Sequence, residues 1–90
     1  MFKLTEEQQQ RIKFLSEHYD EQTLFKKAKE EAVEYVAALY EGTPTDFVDE
    51  AADVIITVLQ QINKRNLIRE VSRRIDYKLD RQYVRMKRGE

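Results

Sequence analysis

Two pairs of carboxylates with the same spacing are the part of this sequence best suited to chemistry. Glu31 and Glu34 form one pair, and Glu50 and Asp53 form the other. Residues three apart on a helix lie on one face, one turn apart. Residues 30–63 contain no Lys or Arg, so we expect no basic partner at i±4 within these helices. Clustered carboxylates repel each other, and a hard cation such as Mg²⁺ relieves this by binding their oxygens. The spacing therefore predicts a metal site.

Length and composition restrict the remaining possibilities. Ninety residues make one small domain, residues 1–90, which needs a partner chain to bury enough surface. Without cysteine the chain has no disulfide, zinc thiolate or thiol nucleophile, and His18 is its only histidine. No long apolar run and no signal-peptide pattern is present, so we expect a cytoplasmic protein without a membrane segment.

The net charge of −1 conceals a strong separation of charge along the chain. Residues 30–63 carry eight acidic and no basic side chains, whereas residues 64–88 carry ten basic and three acidic ones. Such segregation indicates an acidic centre and a basic arm with separate roles.

Two glycines, one proline and helical apolar spacing predict an all-α domain of four antiparallel helices. The first helix begins at a capping box, Thr5-x-x-Gln8, and runs to about Tyr19. The second follows Asp20 as N-cap and ends near Glu41, before glycine.

The third helix is expected to begin at Thr45 or Asp46 and to reach about Lys64. Asn66 is the expected cap of the fourth helix, which continues towards Arg88.

Apolar residues cover somewhat over half of the third helix, so we expect it to be buried on most sides. Glu50 and Asp53 lie on its only polar strip. On the second helix Glu31 borders the apolar stripe and Glu34 lies further round. We expect that stripe to be the core face; its members are Leu24, Phe25, Ala28, Ala32, Val36 and Leu39.

An isolated E-x-x-E pair is ordinarily a solvated helix face. Here the pattern occurs twice, on adjacent helices and beside apolar stripes. Partly burying an unpaired carboxylate is costly, and a metal compensates for that cost. On spacing and charge alone the metal site and the solvated face both remain open.

Four segments resemble the MazG-type all-α nucleoside triphosphate pyrophosphohydrolases, in particular their short, single-domain, phage-like members. They are His18-Tyr19, Lys26–Glu34, Asp49–Val54 and Asp76–Arg81. The resemblance extends from about His18 to Arg85. It implies that water attacks a triphosphate to give a nucleoside monophosphate and pyrophosphate, with Mg²⁺, or Mn²⁺ in its place, holding the phosphates.

The resemblance also implies roles for individual residues. Glu31, Glu34, Glu50 and Asp53 become the metal ligands. Glu30 and Glu34 are both candidates for the general base that takes a proton from the attacking water.

On the fourth helix Lys78, with Arg81 and Arg85, corresponds to the segment that contacts phosphate, and Lys78 also acts in catalysis. These three bases share one helix face, which could equally be a solvated basic face. Some relatives have a basic residue where this chain has Gln82.

We therefore expect a Mg²⁺-dependent pyrophosphohydrolase with a nucleoside triphosphate as its substrate. The apolar excess of the third helix predicts a homodimer or homotetramer. Related enzymes acting on dUTP, dCTP or phosphoribosyl-ATP are alternatives that these motifs do not separate. A non-enzymatic helical interaction module or nucleic-acid binder is the remaining alternative, but the four acids would repel a polynucleotide.

Overall fold

The computed structural model describes residues 3–89 and contains four α-helices and no strand in that part of the chain. The helices are α1 (Glu6–His18), α2 (Glu21–Glu41), α3 (Pro44–Lys64) and α4 (Ile68–Lys87). The predicted all-α class and the number of helices are confirmed. None of the helices described is long and apolar enough to cross a membrane.

The first two helices begin where their capping residues predict. The Thr5 hydroxyl accepts from the Gln8 amide at 3.1 Å, and the Gln8 side chain accepts from the Thr5 amide at 2.8 Å. This reciprocal pair is the predicted capping box. Asp20 caps α2 by accepting from the Thr23 amide at 2.7 Å.

Helix α3 begins earlier than expected, because its cap is Thr43 and neither Thr45 nor Asp46. The Thr43 hydroxyl accepts from the Asp46 amide at 3.2 Å, and the Asp46 carboxylate accepts from the Thr43 amide at 3.0 Å. Pro44 occupies the first turn, where its missing N–H costs no hydrogen bond. Gly42 ends α2 as predicted, and a Cβ there would lie 2.8 Å from the Ala38 carbonyl oxygen.

The expected cap of α4 is also wrong. Asn66 has a φ of 58°, in the left-handed region that asparagine tolerates better than most residues. Leu67 occupies the N-cap position and makes no side-chain capping hydrogen bond. Asn66 therefore turns the chain between α3 and α4 instead of capping α4.

Helix α3 is the centre of the fold, since α1, α2 and α4 all contact it. Helices α2 and α3 run antiparallel, as the residue pairs along their interface show. The Tyr35 and Phe47 rings lie 5.9 Å apart near one end, and Glu21 pairs with Arg65 at 3.5 Å near the other. The two residues between these helices leave room only for a tight antiparallel turn.

The core of a single chain is small. Ile12 and Leu24 are the only buried hydrophobic residues among those described, and no α4 residue is buried. The radius of gyration is 15.3 Å, whereas a compact domain of this length would have about 12 Å. The chain is therefore elongated and leaves much apolar surface uncovered.

The predicted core stripe of α2 is only partly correct. Leu24 is buried and Ala28 half-buried, but Phe25, Val36 and Leu39 are each more than half exposed. Their apolar side chains lie to one side of the α3 contact, and no element among residues 3–89 covers them. The face directed at α3 carries instead Leu24, Ala28, Glu31, Tyr35 and Ala38.

Within one chain α3 is not buried on most sides, contrary to expectation. Its buried side chains are the polar Thr57 and Gln60. Val48 and Val58 are 63% and 50% exposed. We name this largely uncovered α3 surface the apolar seam; it consists of the exposed Val48, Ile55 and Val58 and the half-buried Ala51 and Ile62. Alternating spacings of three and four are typical of a helix face that packs on another helix.

Candidate metal centre

The antiparallel register of α2 and α3 brings acids from the two pairs together. Glu31, Glu50 and Asp53 each offer a carboxylate oxygen, and the three oxygens lie within 4.8 Å of one another. Ligand oxygens around Mg²⁺, at about 2.1 Å from the ion, are separated by roughly 3 to 4 Å. Small side-chain rotations would therefore bring all three carboxylates onto one ion.

The fourth predicted ligand, Glu34, borders this cluster. Its carboxylate is near enough to Glu31 and Glu50 for its charge to add to the effect of burial, which raises the pKa of both. Glu34 itself is exposed, one turn after Glu31 on the solvent side of α2. The structure thus brings three of the four predicted ligands together and places the fourth beside them.

Burial leaves two oxygens of the cluster without partners. Glu31 is only 9% exposed. Its Oε2 atom and the Oε2 atom of Glu50 are buried and accept no hydrogen bond. Burial is the largest cause of the raised pKa of each carboxyl, followed by the charges of Glu34 and Asp53. Buried oxygens that lack donors suit a divalent cation, and the donor set therefore fits Mg²⁺.

The expectation that no basic residue neighbours these acids at i±4 is wrong for Glu31. Lys27 lies one turn before it, and the Lys27 Nζ atom is 3.7 Å from Glu31 Oε1. The i,i+4 spacing is the sequence signal that could have revealed this pair. Lys27 is largely exposed, and the pKa of Glu31 remains raised despite its charge.

The buried polar strip of α3 continues beyond the carboxylates. The Thr57 hydroxyl donates to the Asp53 carbonyl oxygen at 2.8 Å, which satisfies a hydroxyl that is almost fully buried. Gln60 is also buried, and its Oε1 atom accepts no hydrogen bond. The sequence places both residues on the polar strip of α3 that also carries Glu50 and Asp53, but it gives no indication that their side chains are buried.

The two candidates for the general base differ in position. Glu30 is exposed and does not belong to the three clustered carboxylates. Glu34 is exposed too, but it adjoins Glu31 and Glu50. Proximity to the cluster therefore favours Glu34.

The basic residues of α4 are not brought to the cluster within one chain. Lys78, Arg81 and Arg85 are exposed, and among residues 3–89 none of them forms an ion pair. Helix α4 contacts α3 only weakly. The predicted contact of these side chains with phosphate has no counterpart in the geometry of a single subunit.

Fold and cluster together define a class of protein: a small all-α domain with a cluster of carboxylates on two antiparallel helices. The family model of phosphoribosyl-ATP pyrophosphohydrolase matches residues 1–75, and the chain belongs to this family. The match includes all four predicted metal ligands and ends before Lys78. No curated protein and no solved structure matches the chain.

Family membership confirms the resemblance to MazG-type enzymes, of which this family is one all-α branch. It identifies the chain as a nucleotide pyrophosphohydrolase, an enzyme that hydrolyses an acid anhydride.

Proposed function

We propose that this protein is a Mg²⁺-dependent pyrophosphohydrolase that cleaves nucleoside triphosphates to a nucleoside monophosphate and pyrophosphate. The observation that carries the proposal is the cluster of Glu31, Glu50 and Asp53, each with a carboxylate oxygen within 4.8 Å of the others. In addition, the Oε2 atoms of Glu31 and Glu50 are buried and have no hydrogen-bond partner. Such a cluster repels a bare triphosphate and binds one that carries a cation.

In this proposal the carboxylates divide into ligands and a base. Glu31, Glu50 and Asp53 hold Mg²⁺, or Mn²⁺ in its place, with Glu34 available as a further ligand. The ion supplies positive charge for the phosphate oxygens and for the pyrophosphate leaving group. Glu34 accepts the proton of the attacking water, because it adjoins the cluster yet remains exposed.

Positive side chains complete the site on the side of the triphosphate that the ion does not cover. We assign this role to Lys78, with Arg81 or Arg85, and name these three residues the phosphate clamp. Lys78→Ala should lower kcat and raise KM without weakening metal binding, because the carboxylates are unchanged. Adding Arg81→Ala should increase the loss if both side chains contact phosphate, and unchanged kinetics of the double variant would refute the clamp.

A second substrate, phosphoribosyl-ATP, is favoured by the description of the matching family. It carries the same triphosphate as ATP, so the carboxylate cluster would treat both alike. The two substrates differ around the base, where the carboxylates have no means of discrimination.

A panel of NTPs, dNTPs and phosphoribosyl-ATP tests the function and its substrate. Each nucleotide is incubated with protein and Mg²⁺, and pyrophosphate and orthophosphate are measured separately. We expect pyrophosphate alone, no turnover with EDTA, and none with Glu50→Gln. Asp49→Asn is the matched control, since Asp49 precedes Glu50 on α3 but lies outside the cluster. Orthophosphate as the first product would refute the reaction, and salt-sensitive polynucleotide binding without hydrolysis would favour the non-enzymatic alternative.

We further propose that the protein works in the cytoplasm as a homodimer or homotetramer. The apolar seam of α3 and the exposed stripe of α2 support this assembly. At 100° per residue the seam lies opposite Asp53 on α3, and the stripe of Phe25, Val36 and Leu39 lies opposite Glu34 on α2. A second copy packed on this face would leave the carboxylates open to substrate.

A further inference from the structure

The half of helix α4 that is centred on Tyr77 is a basic surface. At 100° per residue it lies opposite the apolar residues Ile68, Leu79 and Met86. It carries seven basic and two acidic side chains, all of them exposed. We name this surface the arginine face; its charged members are Arg69, Arg73, Arg74, Arg81, Arg85, Lys87 and Arg88, with Glu70 and Asp80. Among residues 3–89 none of these bases forms an ion pair, so the face keeps its positive charge.

The rest of the protein contacts α4 on the other side. Val71 is the only α4 residue that is not exposed, and it lies about 120° from Tyr77 around the helix. Helix α4 also contacts α3 only weakly. The arginine face therefore points away from its own α3, and screening over about 8 Å limits the repulsion of a bound anion by the acids of that helix.

Three members of the arginine face form a nearly straight row. Arg74, Arg81 and Arg88 are seven residues apart, which on a helix means about 10.5 Å along the axis and a rotation of only about 20°. Arg88 is the C-cap and keeps a right-handed helical backbone, so it continues the row. The row is about 21 Å long, and each guanidinium binds phosphate through two parallel N–H groups. Such a row suits an anion whose phosphates are repeated along its length.

Tyr77 adds an aromatic ring beside this row. Tyr77 is 54% exposed, and the Arg74 guanidinium lies 4.7 Å from the centroid of its ring. Surfaces that combine exposed aromatic rings with basic side chains bind single strands, because unpaired bases stack on the rings while the bases of the protein hold the phosphates. A membrane surface would need a broad apolar contact, and Val84 is the only aliphatic residue of the arginine face.

We propose that the arginine face binds single-stranded nucleic acid, with phosphates along the arginine row and a base stacked on Tyr77. The proposal goes beyond the pyrophosphohydrolase function, because it concerns a polymer, needs no divalent cation and uses no acidic residue. RNA and DNA share the phosphates and the base faces, so single strands of both should bind. Arg81 and Arg85 also belong to the phosphate clamp, and the tests therefore change only Arg74, Tyr77 and Arg88.

Fluorescence anisotropy in EDTA, with labelled oligo(U) and oligo(dT) of about 15 nucleotides, measures the binding. Three phosphate contacts on a single strand predict that affinity falls about 18-fold between 50 and 200 mM KCl. Arg74→Gln combined with Arg88→Gln leaves one contact of the row and should reduce this fall to about 3-fold. Lys26→Gln combined with Lys29→Gln removes the same charge from exposed positions of α2 and is the control, which should keep the salt dependence of wild type.

The aromatic part of the proposal is tested at Tyr77 alone. Tyr77→Ala should weaken the affinity for single strands about 5- to 150-fold, the range measured for stacking of one base. Tyr77→Phe keeps the ring and should bind as wild type does. A duplex of the same length should bind equally well to Tyr77→Ala and to wild type, because its bases are already stacked on each other.

Absence of binding by wild type at 50 mM KCl would overturn the proposal. An equal loss in the α2 control, or unchanged binding of single strands by Tyr77→Ala, would overturn it as well. Binding to phosphatidylserine vesicles but to neither oligonucleotide would identify a membrane surface instead.

A parallel assay separates this surface from the metal centre. Arg74→Gln combined with Arg88→Gln should release pyrophosphate as wild type does, because neither residue belongs to the carboxylate cluster or to the phosphate clamp. Oligonucleotide binding by a wild type that releases no pyrophosphate would count against the proposed function alone. Pyrophosphate release without oligonucleotide binding would count against the arginine face alone.

Discussion

Glu31→Gln offers the sharpest test of the metal centre, because it removes one charge while keeping the size of the side chain. Burial and the nearby carboxylates raise the pKa of Glu31, so its charged form destabilises the metal-free fold at neutral pH. Without metal the variant should therefore be as stable as wild type or more stable. With Mg²⁺ bound, wild type should be more stable than the variant.

The magnitude follows from binding linkage. A protein that binds Mg²⁺ only in its folded state gains about 1.4 kcal/mol of unfolding free energy when the Mg²⁺ concentration is ten times Kd. For a domain of 60–100 residues this raises Tm by about 6 to 11 °C. Loss of one of three ligands should weaken Mg²⁺ affinity by at least about 100-fold, because replacing a residue that only supports a metal ligand already costs about 10- to 100-fold. At the same Mg²⁺ concentration the variant would then gain less than about 1 °C.

The assay is thermal unfolding followed by circular dichroism, with EDTA and across a Mg²⁺ titration. Asp49→Asn is the control and should respond to Mg²⁺ as wild type does. An unchanged Mg²⁺ response in Glu31→Gln would refute the assignment of Glu31 as a ligand. A metal-free Tm well below that of wild type would refute the argument from repulsion and burial.

Three further predictions concern assembly, pH and the core. Val58→Glu places a charge in the apolar seam and should reduce the mass measured by light scattering to that of a monomer. Val33→Glu, which lies outside the α2 stripe, is the control and should leave the mass unchanged. A monomeric wild type would contradict the proposal that the seam is a subunit interface. Without metal the unfolding free energy should rise as pH falls from above the raised pKa values of Glu31 and Glu50 towards their ordinary pKa of 4.5. Urea titrations that show the opposite slope would be inconsistent with the burial of these two carboxyls. Leu24→Ala should lower the unfolding free energy measured in urea by about 2–5 kcal/mol, because Leu24 on α2 is only 1% exposed.

Local sequence signals predicted the helices well where the hydrogen bonds are local. Thr5 with Gln8, and Asp20, cap their helices through residues three positions away, so the pattern alone identifies them. Thr43 makes the same kind of capping hydrogen bond. It was not predicted because Thr45 and Asp46 are also suitable caps and because Pro44 was read as part of the break between the helices.

Features that depend on a neighbouring element were predicted less well. Phe25, Val36 and Leu39 have the spacing of a core stripe, but sequence cannot tell whether their own chain or another covers them. The meeting of Glu31 with Glu50 and Asp53 was predictable, since equal spacings on helices joined by a short turn imply an antiparallel register. The position of α4 depends on Asn66, whose left-handed backbone conformation could not be predicted from the sequence.

The most direct test of the metal centre is anomalous diffraction from crystals grown with Mn²⁺ and a non-hydrolysable nucleoside triphosphate analogue. Mn²⁺ prefers the same oxygen ligands as Mg²⁺ and gives a measurable anomalous signal. We predict a peak within about 2.3 Å of an oxygen from each of Glu31, Glu50 and Asp53, in contact with the triphosphate. A peak elsewhere, or a bound triphosphate with no ion between it and these carboxylates, would contradict the proposed site.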